Sequence, residues 1–211
     1  MYSLFKRLRI SQELGIDLIN ELIDNDILYL VNSREAPLKE YSKQKLKKEL
    51  KYYDIEPKLY FTKPFYRFWF YFVEPHREKK DFINSVISSY EKWGYKLSSL
   101  VYEQLSLEIL NEYYKKSDKL IEVASFWDVN SEFDLYCKTS SGKYILGECK
   151  YKNRPITHGE LLKLKHKAQN SNLKVDKFAL FSKSGFSQEF YRKRDDNLLL
   201  FDLNSLDLIT L

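Results

Sequence analysis

Two short runs of alternating apolar and polar side chains, Phe133 to Lys138 and Tyr144 to Tyr151, constrain this chain more than any other feature. A period of two is the period of a β-strand with one face packed and the other polar. Thr139-Ser140-Ser141-Gly142 lies between the runs and is turn chemistry, with Gly142 able to take a positive φ. A hairpin centred on Ser141 sets Asp134 directly across from Glu148. Residues opposite each other in a ladder share a face, and Lys150, two beyond Glu148, shares it too. Two carboxylates and one ammonium then meet at one spot, the layout of a site that binds a divalent metal and acts on a phosphodiester. The competing reading is a solvated hairpin face. The flanking Leu135, Ile145 and Leu146 argue against it, since they suit a buried strand, where Glu and Lys are costly unless paired or metal-bound.

Charge is distributed unevenly around this hairpin. The chain carries a formal net charge of +5 over 211 residues. Residues 138 to 194 hold fourteen Lys or Arg against four Asp or Glu, whereas residues 81 to 137 hold five against ten. A cationic surface beside a metal site suits a polyanionic substrate, because phosphate contacts release counterions. The bland alternative is a solvated helix face. By strand parity Cys137 and Cys149 point away from the charged face, and they are expected to be buried, reduced thiols. The longest apolar run, Phe68 to Val73, is far short of a bilayer span, and no secretory segment follows Met1, so a cytoplasmic protein with no membrane partner is expected.

Along the chain, Ile10, Leu14, Leu18 and Leu22 predict an amphipathic helix from about Ser3 to Asp24, or two helices meeting near Gly15. Ile27 to Val31 reads as a strand and Asn32-Ser33-Arg34 as a turn. This order suggests a partial winged helix, more scaffold than DNA reader. Lys39 to Lys51 is strongly basic, either a phosphate-contacting helix or a solvated one. Pro57 and Pro64 bracket an expected extended linker, and Phe65 to Val73 reads as buried aromatic core. Asp81 to Tyr95 and Ser98 to Tyr114 have helical spacing, and Leu120 to Phe126 is a first core strand. After the hairpin, Thr157 caps a helix to Asn170 with Glu160 as its capping-box partner. Lys177 to Ser182 and Leu198 to Leu203 are further strands, the former parallel if it returns after that helix. The expected class is α/β, a mixed sheet flanked by helices. An N-terminal helical or winged-helix-like segment, 1–75, precedes a main domain, 76–211.

Asp134 followed by Glu148-Cys149-Lys150 resembles the motif of the PD-(D/E)XK, or restriction-endonuclease-like, nucleases. A wider set of blocks is similar to the C-terminal domain of archaeal-type AAA ATPases: Phe65 to Pro75, Glu132-Phe133-Asp134, Gly147 to Tyr151 and Phe181 to Phe186. The resemblance covers roughly residues 60 to 205. It implies a restriction-endonuclease-like sheet and a metal-dependent DNA nuclease. Asp134, Glu148 and Lys150 would form the catalytic trio. Mg²⁺ or Mn²⁺ would sit on Asp134, Glu148 and the Cys149 backbone carbonyl, with Glu103, otherwise a surface Glu, as an outer ligand. Lys152, Arg154, Lys163, Lys165 and Lys167 would grip DNA phosphates. No P-loop is present, so an ATPase would be a separate partner. A symmetric dimer would let two sites cut both strands. Two rival readings are a catalytically silent nucleic-acid-binding or partner-docking module, and a transcription regulator acting through residues 1 to 38.

Overall fold

The computed structural model describes residues 2–34, 41, 43–50, 57–128, 131–192 and 195–210. Of the basic segment Lys39 to Lys51, residues 39, 40, 42 and 51 lie outside them; the helical structure in the described part is one 3-10 turn, Lys48–Leu50. The chain divides into two compact units, residues 1–97 and 98–211.

In the first unit, α1 (Tyr2–Leu8) and α2 (Gln12–Asp24) stand where one long helix or a break near Gly15 was expected. The break falls earlier, at Arg9, whose φ of 56° ends α1, and Ser11 caps α2 by accepting from the Leu14 N–H at 3.2 Å. Gly15 lies within α2 and has its own role. A Cβ there would stand 2.5 Å from the Phe5 ring, so only glycine lets α1 lay that ring on α2. Gly15 and Ile19 are the buried positions of α2, while Leu14 and Leu18 face solvent. β1 (Leu28–Val31) pairs antiparallel with β2 (Lys58–Phe61). The latter segment was expected to be a linker; its backbone is instead taken up by the β1 ladder. α3 (Pro64–Phe68) opens with Pro64 at its first position and runs into a π-helical turn, Trp69–Val73. This stretch was expected to be buried, and only Phe72 and Val73 are; Phe65, Phe70 and Tyr71 are about half exposed. α4 (Phe82–Tyr114) is one continuous helix where two were expected. Gly94 costs helix stability but neither it nor any neighbour removes a backbone donor as a proline would. The division between the units falls within α4.

The second unit is built on a five-stranded mixed sheet in chain order. β3 (Leu120–Trp127), β4 (Glu132–Thr139) and β5 (Tyr144–Lys150) run antiparallel. β6 (Lys177–Ser182) and β7 (Leu198–Phe201) then run parallel to β5. α5 (His158–Asn170) is the crossover between β5 and β6, and the short α6 (Glu189–Arg192) precedes β7. This is an α/β architecture. Each sheet face has its own core. Tyr102, Ile109 and Leu110 of α4 pack with Leu135, Ile145 and Phe181 on one face. Leu161, Leu164 and Ala168 of α5 pack with Phe133, Leu146 and Leu180 on the other. Full burial on both sides explains why β6 reads as a continuous apolar run. The hairpin turn takes the expected form, with Gly142 at φ 82°. Asp118 ties it down, accepting first from the Ser141 Oγ at 2.5 Å, and from the Ser141 N and Ser140 Oγ, both at 2.9 Å. These bonds hold the Asp118 carboxyl well below the usual carboxylate range. A surface cleft of about 670 Å³ lies at this turn and involves Asp118, Ser140 and Ser141. Asp118 is already committed there to holding the turn.

Candidate active site

The register of β4 on β5 is the one the turn predicted. Leu135 pairs with Gly147 and Cys137 with Ile145, so one step further Asp134 stands across from Glu148. A β-bulge then sets the aim of Asp134. On the β3 side Phe133 pairs with Phe126 and Tyr136 with Ala124, so Asp134 and Leu135 together oppose Ser125. Phe133 and Tyr136 therefore both enter the α5-side core, and Leu135 the α4-side core. Bulges re-aim side chains in this way beside functional sites. Here the Cys149 N–H donates to Asp134 Oδ2 at 2.7 Å.

Glu148 and Lys150 follow two apart on β5 and face a cleft of about 320 Å³ beneath α5. Lys150 Nζ donates to Glu148 Oε1 in a close ion pair, with the two side chains only 25% and 18% exposed. Burial alone would lower the Lys150 ammonium; Glu148, with Asp134 and Glu160 behind it, more than offsets this and holds its pKa above the ordinary lysine value. Asp134 behaves in the opposite sense. Burial first, and then the Glu148 charge, push its carboxyl up to about 6, although the Cys149 N–H, Lys150 and Lys167 pull it down. Two carboxylates that repel each other in a half-dry site are a pair of hard oxygen donors, offset in part by Lys150 and Lys167. Hard carboxylate oxygens of this kind are donors that a divalent cation such as Mg²⁺ takes.

The outer residues divide. Lys152, Arg154, Lys163 and Lys167 line the cleft with Glu160. Arg154 is joined to Glu160 at 2.9 Å, and Glu160 also accepts from the Thr157 N–H at 2.9 Å, as its capping-box role requires. Lys165 turns elsewhere, toward Asp195 at 3.9 Å and over the Phe178 ring. Helical geometry separates these lysines: 163 and 167 are four apart on one face, and 165 falls between them on another. Glu103 sits on α4, where its charge bears on Cys149. Among the described residues no group of three or more His, Cys, Asp or Glu is placed to hold a metal ion. Glu160 was not anticipated as a cleft residue, because its capping role had accounted for it.

Cys137 and Cys149 are buried free thiols, as expected. Burial chiefly, with the Asp134 charge, raises the Cys149 thiol well above its ordinary pKa, so it stays protonated and serves packing rather than nucleophilic attack. No helix among the described residues is long and apolar enough to cross a membrane. No curated protein and no solved structure matches the chain. Residues 69–170, which run from the π-helical turn through Asp134, Glu148 and Lys150 to the end of α5, match the model of the DUF234 family, described as archaea bacterial proteins of unknown function.

Proposed function

We propose that this protein is a metal-dependent nuclease that hydrolyses phosphodiester bonds of DNA, with its site on a restriction-endonuclease-like sheet of the PD-(D/E)XK type. The observation that carries this is Asp134 within electrostatic reach of Glu148 and Lys150, which themselves line a cleft with further lysines and an arginine. Asp134, Glu148 and the Cys149 carbonyl would hold Mg²⁺ or Mn²⁺. When bound, such an ion polarises the scissile phosphate and lowers the pKa of its water.

The chain's own groups do the rest. Glu148 balances Lys150 in the resting site, so the ammonium is held charged and in place before substrate arrives. Preorganised donors of this kind act where negative charge grows on the phosphoryl oxygens. Lys152, Arg154 and Lys163 contact the flanking backbone phosphates, which supplies salt-dependent, sequence-independent affinity. A second copy of the chain would present a second site for the other strand.

The test is cleavage of plasmid and single-stranded DNA in Mg²⁺, Mn²⁺ or EDTA, with wild type beside Lys150→Ala. Metal-dependent cutting that disappears in the variant supports the proposal. Equal cutting by both proteins refutes the assignment of Lys150. The alternative is a silent nucleic-acid-binding or partner-docking module that acts with a separate ATPase. The closed Glu148–Lys150 pair favours it, since a paired carboxylate is already satisfied. That reading predicts DNA binding that is the same in EDTA and no cutting in any metal.

A further inference from the structure

Lys167 occupies a position that phosphate gripping does not explain. Its ammonium donates to the Glu132 carbonyl at 2.9 Å and lies 5.1 Å from the Phe133 ring centre. It also stands 4.0 Å from Glu148 Oε2, the oxygen that Lys150 does not take. Three contacts from β4 and β5 therefore hold one α5 side chain over the carboxylate pair. A lysine that only met DNA would need no partner within the protein; this one has three, with 39% of its side chain still exposed. The two oxygens of Glu148 are thus shared between Lys150 on its own strand and Lys167 from the crossover helix.

Resting on the nuclease reading above, we infer that Lys167 is a positioning residue that acts as resident counter-charge to the Asp134–Glu148 pair, holding Glu148 in place in the metal-free protein and competing with the divalent cation for it. The cation and Lys167 are attracted to the same carboxylates and repel each other. Lys167 therefore weakens metal binding and keeps the site assembled until metal arrives. A residue that only grips DNA has no influence on metal affinity in the absence of DNA. One that only supports the fold weakens metal binding when lost. The counter-charge role predicts that losing Lys167 tightens metal binding, which separates it from both.

The experiment titrates Mn²⁺ into the full chain without DNA and reads free Mn²⁺ by electron paramagnetic resonance. Wild type, Lys167→Gln, Lys167→Arg and Asp134→Asn are compared, with circular dichroism to establish that each is folded. A partly screened charge at this separation predicts Mn²⁺ binding about five- to tenfold tighter in Lys167→Gln. Lys167→Arg, which keeps the charge, should stay within about twofold of wild type. Unchanged or weaker binding in Lys167→Gln overturns the inference and leaves the two-carboxylate site standing. Wild type that binds no Mn²⁺, or binds it no better than Asp134→Asn, overturns the metal site and this inference together.

Discussion

Asp134 should make the protein less stable than it could be, and Asp134→Asn should reveal it. Its carboxyl is lifted from 3.8 to about 6 by burial and then by Glu148. An acid whose folded pKa exceeds its unfolded pKa binds its proton more tightly when folded, so its ionised form opposes folding. The cost is absent below about pH 4 and grows as pH rises toward 6. It is fully present above that, and stability falls with rising pH across this window. A rise of this size corresponds to about 3 kcal/mol, and partial solvation of the site reduces this to about 1–3 kcal/mol. Asparagine keeps an oxygen to accept from the Cys149 N–H and removes the repulsion with Glu148. In EDTA at pH 7.5, Asp134→Asn should therefore raise the urea midpoint by about 1 M. At pH 4.5, where the folded wild-type carboxyl is already protonated, the gain should largely vanish. A variant less stable than wild type at pH 7.5, or a gain equal at both pH values, would refute the reasoning.

Two further outcomes bear on the scaffold, and each is read by the same denaturation curve. Leu180 is 1% exposed on the interior strand β6, within the core that α5 covers; Leu180→Ala should cost about 2–5 kcal/mol, with α5 loosened and Mn²⁺ binding weakened alongside. A Cβ added at Gly142 meets no atom within 4 Å, so Gly142→Val should act chiefly through the strain of a β-branched residue at φ 82°, about 1–2 kcal/mol, with the Asp134–Glu148 register preserved. A loss below about 0.3 kcal/mol would mean that the turn relaxes instead.

Local chemistry accounts for what could be read in advance. The turn at Gly142 and the alternation on either side of it determine the partner of Asp134, because a one-residue slip would turn every apolar side chain of the hairpin outward. The cap at Thr157 and the Glu160 partner were legible for the same reason, since both lie within one helical turn. The longer-range expectations fared less well. The stretch from Lys58 to Phe61 reads as a linker until β1, about thirty positions earlier, pairs with it. The aromatic run at Phe65 to Val73 reads as core, yet its side chains divide between burial and solvent.

At the site, the sequence by itself determined the α/β class, the hairpin register and the convergence of Asp134, Glu148 and Lys150. Each of these follows from periods of two or 3.6 and from a turn only a few residues long. Tertiary structure alone decided that a bulge against Ser125 re-aims Asp134 onto the Cys149 N–H. It also decided that the Glu103 charge, from α4, bears on Cys149, and that Lys167, 35 positions from Glu132, arrives over Glu148. The physical reason is range: strand and helix periods act between near neighbours, whereas bulge aim and the meeting of α5 with β4 are set by how whole elements pack.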